Sequence, residues 1–408
     1  MRILFLTDNF PPESNAPASR TYEHAKVWVS AGHQVTVVTC APNFPEGQVF
    51  PGYRNTWRTR EYLNGIEVVR VWTYVSANQG VLKRTLDYLS FMVTGALAGI
   101  LLSRKDVVIA TSPQFFCACA GWIVGAAKRI PFVFELRDLW PDSIVTVGAM
   151  RESIAIRLLR RTEYFLYRRA DLIVTVTHSF RRILSANGIA AGKIVVVPNG
   201  ADHGEYQPGP RPEELAAKIG VAGKFVAAYL GTIGMAHGLG TLLAAAEELR
   251  HRQDIVFLLV GAGAERGALE REAGQRGLRN VVFVGAVPKS DIVRYWHLAD
   301  VALILLRDTP LFRNVIPSKM FEAMATGCPI VLGVDGESRE ILDQARAGIA
   351  IPPGDGHDLA LAVEKFADQP VMAAQMAISG RHFVVQHFDR MVLAMRMLDA
   401  IENAIRLK

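Results

Sequence analysis

The sequence is poor in cysteine, with four residues of this type among 408. They are Cys40, Cys117, Cys119 and Cys328. Cys117 and Cys119 stand two apart, and no second pair lies nearby, so the ligand spacing of a zinc site is missing. Because all four lie within or beside apolar segments, we expect reduced core thiols and no bound metal. Reduced thiols fit a cytoplasmic location.

Long apolar runs are also missing. The longest extends from about residue 88 to residue 102, which is shorter than the ~20 residues that a membrane-spanning helix needs. The chain opens on a short strand pattern and not on a signal peptide. We therefore expect a soluble or peripheral protein and exclude an integral membrane protein.

Charge is unevenly distributed along the chain. Residues 1–200 contain 23 Lys and Arg against 14 Asp and Glu, whereas residues 201–408 contain 22 against 25. The basic first half predicts an anionic partner. No recognition helix, zinc finger or pattern of stacking aromatics indicates nucleic acid. An anionic membrane surface that carries a lipid pyrophosphate suits this charge better.

Two segments of the first half suit a membrane surface. The apolar run at 88–102 is flanked by basic residues, and the segment at 151–169 contains six arginines. Within the latter, apolar residues recur at roughly helical spacing; they are Ile154, Leu158, Phe165 and Leu166. The segment is interpreted either as a basic amphipathic helix in the headgroup plane or as a core helix with a solvated arginine face.

Short strand patterns alternate with helical patterns throughout the chain, which is typical of parallel sheets built from βαβ units. Seven strand patterns precede a Gly- and Pro-rich loop at residues 198–212, and six follow it. The chain exceeds the size at which one core stops growing. These features predict an α/β protein of two Rossmann-like domains. Ligands of such sheets bind at the carboxyl ends of the strands, so two facing sheets would share a cleft.

The segment at 317–331 carries the most specific chemistry. Pro317 and Ser318 mark a helix start, and Lys319 and Glu322 stand three apart on one helix face. The N–H groups of a helix N-terminus attract phosphate. Lys319 would add a full charge there, and Glu322 could accept hydrogen bonds from a ribose diol. The alternative is a capping box in which Ser318 caps the helix and Glu322 pairs with Lys319 at the surface.

Further segments follow one another in a fixed order. They are the strand at 2–6 with Pro11 and Pro12 after it, and the stretches 31–37, 197–202, 229–234, 259–263 and 282–288. With 317–331, they resemble the family-4 glycosyltransferases, retaining sugar-nucleotide enzymes with two Rossmann-like domains, known as the GT-B fold. The resemblance covers nearly the whole chain. It implies an acceptor domain at 1–200, a nucleotide-sugar donor domain at 201–385 and a helix at 386–408 that braces the first domain.

The resemblance also implies an activity. It is the transfer of a sugar from a UDP-sugar to a hydroxyl of a polyprenyl-diphosphate-linked saccharide, in O-antigen or capsule assembly at the inner face of a bacterial membrane. The anomeric configuration would be retained, without a metal or other cofactor. The stretch at 233–238 and the Ser318-Lys319 pair look most like the branch that contains N-acetyl-L-fucosaminyl transferases.

The donor residues that the resemblance implies all lie in the second half. They are Gly231, Thr232, Gly234, His237, Val287, Arg313, Asn314, Pro317, Ser318, Lys319, Glu322 and Glu340. Two departures stand out: the family's arginine and lysine after the 231–234 turn are absent, and its first paired glutamate is replaced by Asn314. His237 is expected to substitute for the basic pair in part. These losses raise the expected importance of Lys319 and Arg313.

The first half offers two further candidates. Arg137 and Asp138 follow a buried strand and fall where the family often has His-Asp, so we expect them to act in catalysis with Lys319; the alternative is a structural ion pair. Asn15, Ala16 and Arg20 occupy the place of the family's glycine loop and are expected to bind the acceptor. Arg20 could instead be a solvated helix charge.

Two other functions stay open at this point. The same scaffold supports nucleotide-sugar epimerases, which act on the donor without an acceptor, although the basic first domain favours a transferase. The replaced glutamate and the missing basic pair would also fit a peripheral membrane scaffold with a degenerate donor site.

Overall fold

The structure, a computed structural model, describes residues 1–13, 15–44, 46–76, 81–112, 114–146, 148 and 150–406; of residues 81 and 82 it describes the backbone alone. The chain forms two compact units. One comprises residues 1–198 together with the chain from Met391 onward, and the other comprises residues 199–390.

The first unit is built on an eight-stranded sheet in the order β3-β4-β2-β1-β5-β6-β7-β8. Its strands are β1 (Arg2–Leu6), β2 (Gln34–Cys40), β3 (Arg58–Leu63), β4 (Ile66–Val71), β5 (Val107–Thr111), β6 (Phe132–Leu136), β7 (Leu172–Thr175) and β8 (Ile194–Val196). Its helices are α1 (Ala16–Ser30), α2 (Val81–Leu101), α3 (Phe115–Lys128), α4 (Asp142–Thr146), α5 (Ile154–Arg169) and α6 (His178–Ala186), with a 3-10 turn at Ala191–Lys193.

Strand β3 is the element that sequence patterning missed, and its place in the sheet explains why. It lies at the sheet edge and pairs antiparallel with β4, whereas the other neighbouring pairs described in this sheet are parallel. Its sequence, Arg-Thr-Arg-Glu-Tyr-Leu, has no buried residue. An edge strand exposed in this way carries charge that discourages pairing with other chains, so it lacks the apolar pattern of the buried strands.

The second unit is built on a six-stranded parallel sheet in the order β11-β10-β9-β12-β13-β14. Its strands are β9 (Phe225–Leu230), β10 (Ile255–Val260), β11 (Val281–Val284), β12 (Val301–Leu305), β13 (Ile330–Gly333) and β14 (Gly348–Ala350). Its helices are α7 (Glu213–Lys218), α8 (Gly240–Glu248), α9 (Arg266–Gln275), α10 (Lys289–Trp296), α11 (Lys319–Thr326), α12 (Glu337–Ala345), α13 (Gly356–Asp368) and α14 (Pro370–His387), with 3-10 turns at Leu249–His251 and Phe312–Asn314. The continuously apolar, fully buried β10 shows that helices cover both faces.

The last helix, α15 (Arg390–Arg406), packs into the first unit. Its buried residues join the core formed by β1, β2, β5 and α1. Trp28 of α1 is fully buried there and donates a hydrogen bond from Nε1 to the carbonyl oxygen of Ala394 at 2.8 Å. This bond satisfies the one polar group of a large buried side chain, so it fixes where the helix lies.

Two methionines of α15 provide a matched test of this anchoring. Met397 is fully buried, whereas Met395 is 37% exposed. Met397→Ala should lower the free energy of unfolding of the first unit by about 2–5 kcal/mol, because it leaves a cavity in the core. Met395→Ala should change it by less than about 0.5 kcal/mol. Urea unfolding followed by tryptophan fluorescence measures both, and equal effects of the two substitutions would contradict the anchoring.

Candidate functional site

The candidate site of the second unit lies where the strand order reverses. From β9 the chain adds β10 and β11 on one side, and then returns to add β12, β13 and β14 on the other. Strand β9 has β10 on one side and β12 on the other, so the loops that follow β9 and β12 diverge from the same edge. Ligands of open α/β sheets bind at such a switch point. The loop after β9 begins at Gly231, and the segment after β12 leads into α11, whose first residue is Lys319.

The turn after β9 is packed backbone to backbone on the loop after β10. A Cβ on Gly261 would lie 1.9 Å from the carbonyl oxygen of Gly231, and one on Gly263 would lie 2.2 Å from that of Ile233. Ile233 N–H also donates to Ala262 O at 2.9 Å. Only glycine permits this approach, so the two loops hold the 231–234 turn in place.

Lys319 points back under this turn. Its Nζ lies 3.6 Å from the centroid of the Tyr229 ring, and a Cβ on Gly231 would come within 3.1 Å of the same nitrogen. The nitrogen is buried, although the residue as a whole is half-buried, and it has no hydrogen-bond partner among the described residues. Burial lowers the pKa of Lys319 to about 7, against the opposing pull of Glu322.

His237 is the second titratable side chain at this position. Its ring meets the Tyr229 ring edge-on, with the centroids 5.7 Å apart. Burial and the neighbouring Lys319 together lower the pKa of His237 to about 3, although a backbone hydrogen bond at Leu305 opposes them. The imidazole is therefore neutral at pH 7. It can offer a hydrogen bond but not the positive charge that the sequence led us to expect from it.

The start of α11 differs from a capping box. Ser318 is the N-cap residue, but its side chain makes no capping hydrogen bond. The alternative based on a Ser318 cap is therefore wrong. Pro317 O and Ser318 O accept the first backbone bonds of the turn, from Met320 N and Phe321 N. Glu322 is half-buried in the first turn, within electrostatic reach of Lys319.

Other candidates lie in the segment before α11 and on the 231–234 turn, and they make contacts of their own. Arg313 is exposed and pairs with Asp308 at 3.0 Å, and the Asn314 amide donates to Pro310 O at 2.9 Å. Thr232 is exposed on the 231–234 turn, where its carbonyl oxygen accepts the Tyr229 hydroxyl at 2.6 Å. Gly234 closes this turn.

Two candidates lie on other elements. Val287 is half-buried in the loop after β11, and strand β10 lies between β11 and β9. Glu340 is exposed in the first turn of α12. The structure thus brings Gly231, His237, Lys319 and Glu322 together through described interactions. The donor roles of all these residues stay predictions.

Tyr229 is the site residue that sequence reasoning missed. It is fully buried, and burial raises the pKa of its hydroxyl. In the sequence it reads as one more apolar residue of the strand Phe225–Leu230. The sequence feature that could have identified Tyr229 is its position, one residue before the carboxyl end of the strand that leads into Gly231.

The first unit has its own polar cluster after β6. The backbone N–H groups of Arg137 and Asp138 both donate to Ser112 Oγ, at 2.8 and 3.3 Å. Burial raises the pKa of Asp138, although hydrogen bonds from Ser143 and Leu139 oppose it. An acid with a raised pKa at the carboxyl end of a strand is suited to proton transfer. The catalytic roles of Arg137 and Asp138 stay predictions.

Arg20 is buried and not solvated, so that alternative is wrong. Its Nε donates to Glu135 Oε1 at 2.8 Å, and its other nitrogens donate to Val197 O and Pro198 O at 3.0 and 2.9 Å. Burial opposes ionisation of Glu135, but Arg20 and Arg137 more than offset it and lower the pKa of that carboxyl. The observed role of Arg20 is to tie α1 to the carboxyl end of β6.

Asn15 and Ala16 form the start of α1. The Asn15 side chain caps the helix by accepting from Ala18 N at 3.0 Å, while its amide donates to Asn9 Oδ1 at 2.8 Å. Ala16 is exposed at the first helical position. Acceptor binding by Asn15, Ala16 and Arg20 stays a prediction.

Helix α5 has a solvent face that is both basic and apolar. On it lie Ile154, Arg157, Leu158, Arg161, Phe165 and Arg168, all exposed. We refer to these six residues as the basic-apolar face. Leu166 and Ile156 point to the protein interior. Helix α2, which packs on α3, exposes further apolar side chains along one face, at Leu86, Val93, Leu97 and Leu101. Of the helices described, none combines the length and the apolar character needed to cross a membrane.

Both halves of the chain match family models of glycosyltransferases. Residues 15–200 match the glycosyl transferase 4-like domain, and residues 224–369 match the glycosyl transferases of group 1. WcaI of Escherichia coli strain K12, provisionally assigned as a colanic acid biosynthesis glycosyl transferase, is 26% identical over 336 residues, which cover 80% of this chain and 82% of WcaI. A GDP-mannose-dependent phosphatidylinositol monomannoside mannosyltransferase of Mycolicibacterium smegmatis is 26% identical over 57% of this chain and 63% of its own.

Solved structures share the fold over the whole chain. HepE of Anabaena, determined in complex with UDP-glucose, superimposes with a TM-score of 0.74 at 19% identity and covers 99% of this chain and 100% of its own. WaaG, a glycosyltransferase involved in lipopolysaccharide biosynthesis, gives a TM-score of 0.69 at 16% identity over 97% of this chain and 98% of its own. The prediction of a two-domain α/β protein with the GT-B fold is confirmed.

Proposed function

We propose that this chain, a glycosyltransferase of the GT-B type, binds a UDP-linked sugar in its second domain through Lys319 and transfers the sugar to a lipid-linked saccharide. The observation that carries the proposal is the position of Lys319 Nζ. It is a buried nitrogen without a hydrogen-bond partner among the described residues, beside the start of α11 and the 231–234 turn. A diphosphate would supply the acceptor oxygens that this nitrogen lacks.

The transfer itself depends on stabilising the leaving nucleotide. Negative charge builds on the diphosphate as the glycosidic bond breaks, and a fixed cation beside it lowers the barrier. Lys319 supplies that cation in our proposal, and Glu322 binds the ribose hydroxyls. The anomeric configuration is retained, with the donor's own phosphate accepting the acceptor proton on the departing face. Arg137 and Asp138 of the first domain act on the acceptor side together with Asn15 and Ala16, and Arg20 holds α1 against the carboxyl end of β6.

The choice of UDP is supported by HepE, which was determined with UDP and with UDP-glucose. The mannosyltransferase relative uses GDP-mannose by its name, so the nucleotide has to be tested with both bases. The acceptor class is supported by the colanic acid and lipopolysaccharide assignments of WcaI and WaaG. We keep N-acetyl-L-fucosamine, or another N-acetylated aminosugar, as the proposed sugar.

Replacing Lys319 tests the donor site. Lys319→Ala should weaken UDP binding and lower kcat/KM by a factor equivalent to about 2–4 kcal/mol, because it removes the charge at the leaving diphosphate. Lys365→Ala, an exposed lysine of α13, is the matched control. UDP and GDP titration calorimetry measures binding, and release of UDP from a panel of UDP-sugars measures turnover.

The outcomes separate the possible functions. Wild-type kinetics in Lys319→Ala would refute the donor-site assignment. A degenerate scaffold predicts no saturable heat with either nucleotide. An epimerase predicts conversion of the donor without an acceptor, whereas a transferase needs the acceptor for fast UDP release.

Turnover should survive a metal chelator. The proposed stabilisation of the diphosphate comes from Lys319 and the start of α11, so divalent metal has no required part in it. UDP release should therefore keep its rate in excess EDTA. Loss of activity in EDTA that magnesium or manganese restores would overturn this part of the mechanism.

The basic-apolar face suits a peripheral contact with anionic lipid, which would bring the first domain to its acceptor at the inner face of the membrane. Exposed arginines beside exposed apolar side chains are typical of helices that lie in the headgroup region. Arg160 is left out of this set because it pairs with Asp142 and Glu152, at 2.6 and 2.7 Å.

Substituting three arginines of this face tests the membrane contact. Each Lys or Arg near an anionic surface contributes about 1 kcal/mol, so Arg157→Gln, Arg161→Gln and Arg168→Gln together should reduce vesicle binding by roughly 100-fold. Co-sedimentation with vesicles of phosphatidylglycerol and phosphatidylethanolamine at low and high salt measures the effect. The matched control replaces the exposed Arg271, Arg279 and Arg294 of the second domain. A wild-type protein that stays in the supernatant at low salt would refute the contact.

A further inference from the structure

The Tyr229 ring is placed to hold the Lys319 ammonium. The nitrogen lies 3.6 Å from the ring centroid, which is within the range of a cation–π contact. The ring itself is fixed, because Tyr229 is fully buried in β9 and its hydroxyl donates to Thr232 O at 2.6 Å. Lys319 thus rests on a fixed aromatic ring near the carboxyl end of β9, where the strand order of the sheet reverses.

The groups that face this nitrogen leave its charge only partly compensated. Glu322 on the same helix attracts it, and neutral His237 meets the same ring from the loop after β9. Glu265, from the loop after β10, is paired with Arg307 at 3.0 Å. Burial makes the charged form costly, and the ring and Glu322 offset only part of that cost.

We propose that Tyr229 is a positioning residue that holds Lys319 Nζ ready for the nucleotide diphosphate, and that binding of the diphosphate fixes a proton on that nitrogen. The inference rests on the proposed donor site and adds two features to it, an aromatic support and a linked protonation. The diphosphate oxygens accept hydrogen bonds from the ammonium, so they stabilise its charged form. The proton comes from the solvent and forms an N–H bond with the nitrogen lone pair, and no other covalent bond changes.

The linkage predicts how nucleotide affinity depends on pH. Lys319 is about half protonated near pH 7 before the diphosphate binds, because its pKa is about 7. The bound diphosphate raises that pKa, so binding takes up a proton wherever the pH exceeds the value of the free protein. UDP affinity should therefore fall as the pH rises through 7. At pH 8 binding should take up on the order of one proton per UDP.

Calorimetry of UDP binding at pH 8, in HEPES and in Tris, measures proton uptake from the difference between the two heats. We expect an uptake close to one in the wild type and close to zero in Lys319→Met. Absence of UDP binding in the wild type would refute the proposed function. UDP binding without proton uptake would overturn the linkage and leave the donor site standing.

Two substitutions of Tyr229 test the positioning role. Tyr229→Leu removes the ring, so it should weaken UDP binding about tenfold and move the midpoint of the pH dependence to lower pH, because the ring no longer stabilises the cation. Tyr229→Phe retains the ring and should retain the midpoint. A purely structural role of Tyr229 would weaken binding without moving the midpoint, so an unchanged or raised midpoint in Tyr229→Leu would overturn the proposal. If Tyr229→Leu does not fold, the proton uptake of the wild type still tests the linked protonation.

Discussion

The donor site depends on a lysine nitrogen held in a buried position without a hydrogen-bond partner among the described residues. Taking a charge out of water is costly, and three features of the second domain make this position tolerable. The Tyr229 ring lies under the nitrogen, Gly231 leaves room for it, and Glu322 attracts it. The three features come from β9, the loop after it and α11. The site therefore exists only if the start of α11 is correctly placed against the turn after β9.

The first domain handles buried charge in the opposite way. Arg20 is also buried, but its guanidinium is occupied by Glu135 and by the carbonyl oxygens of Val197 and Pro198. A buried pair with its hydrogen bonds made is part of the framework, because removing either partner leaves an uncompensated charge. A ligand has more to gain at Lys319, whose donors are still available, than at Arg20. The comparison explains why these two basic residues, each near the start of a helix, receive different roles.

The fold could be predicted from the sequence because buried parallel strands are continuous apolar runs; among the strands that the structure describes, only the charged edge strand β3 escaped detection. The resemblance predicted that Lys319 and the 231–234 turn belong to one site. It did not predict the interactions that hold the lysine nitrogen there. The ring under the nitrogen belongs to Tyr229, which looks like core in a strand pattern. The neutral state of His237 also required the structure, because burial and a neighbouring cation set its pKa. Likewise, spacing alone could not show that Arg20 is paired while Arg157 is exposed.

Burial also changes what the net charge of the first half means. Several of its basic residues are interior and paired: Arg70 is 3% exposed and bonds Glu61, and Lys105 is 6% exposed and lies near Glu67. Their charge is compensated within the domain, so it contributes little to a field outside. The charge that a membrane could meet is carried instead by exposed basic residues, among them Arg157, Arg161 and Arg168 of α5. A basic count over 200 residues therefore points to an anionic partner only through the side chains that solvent reaches, and on α5 these lie beside the exposed Ile154 and Leu158.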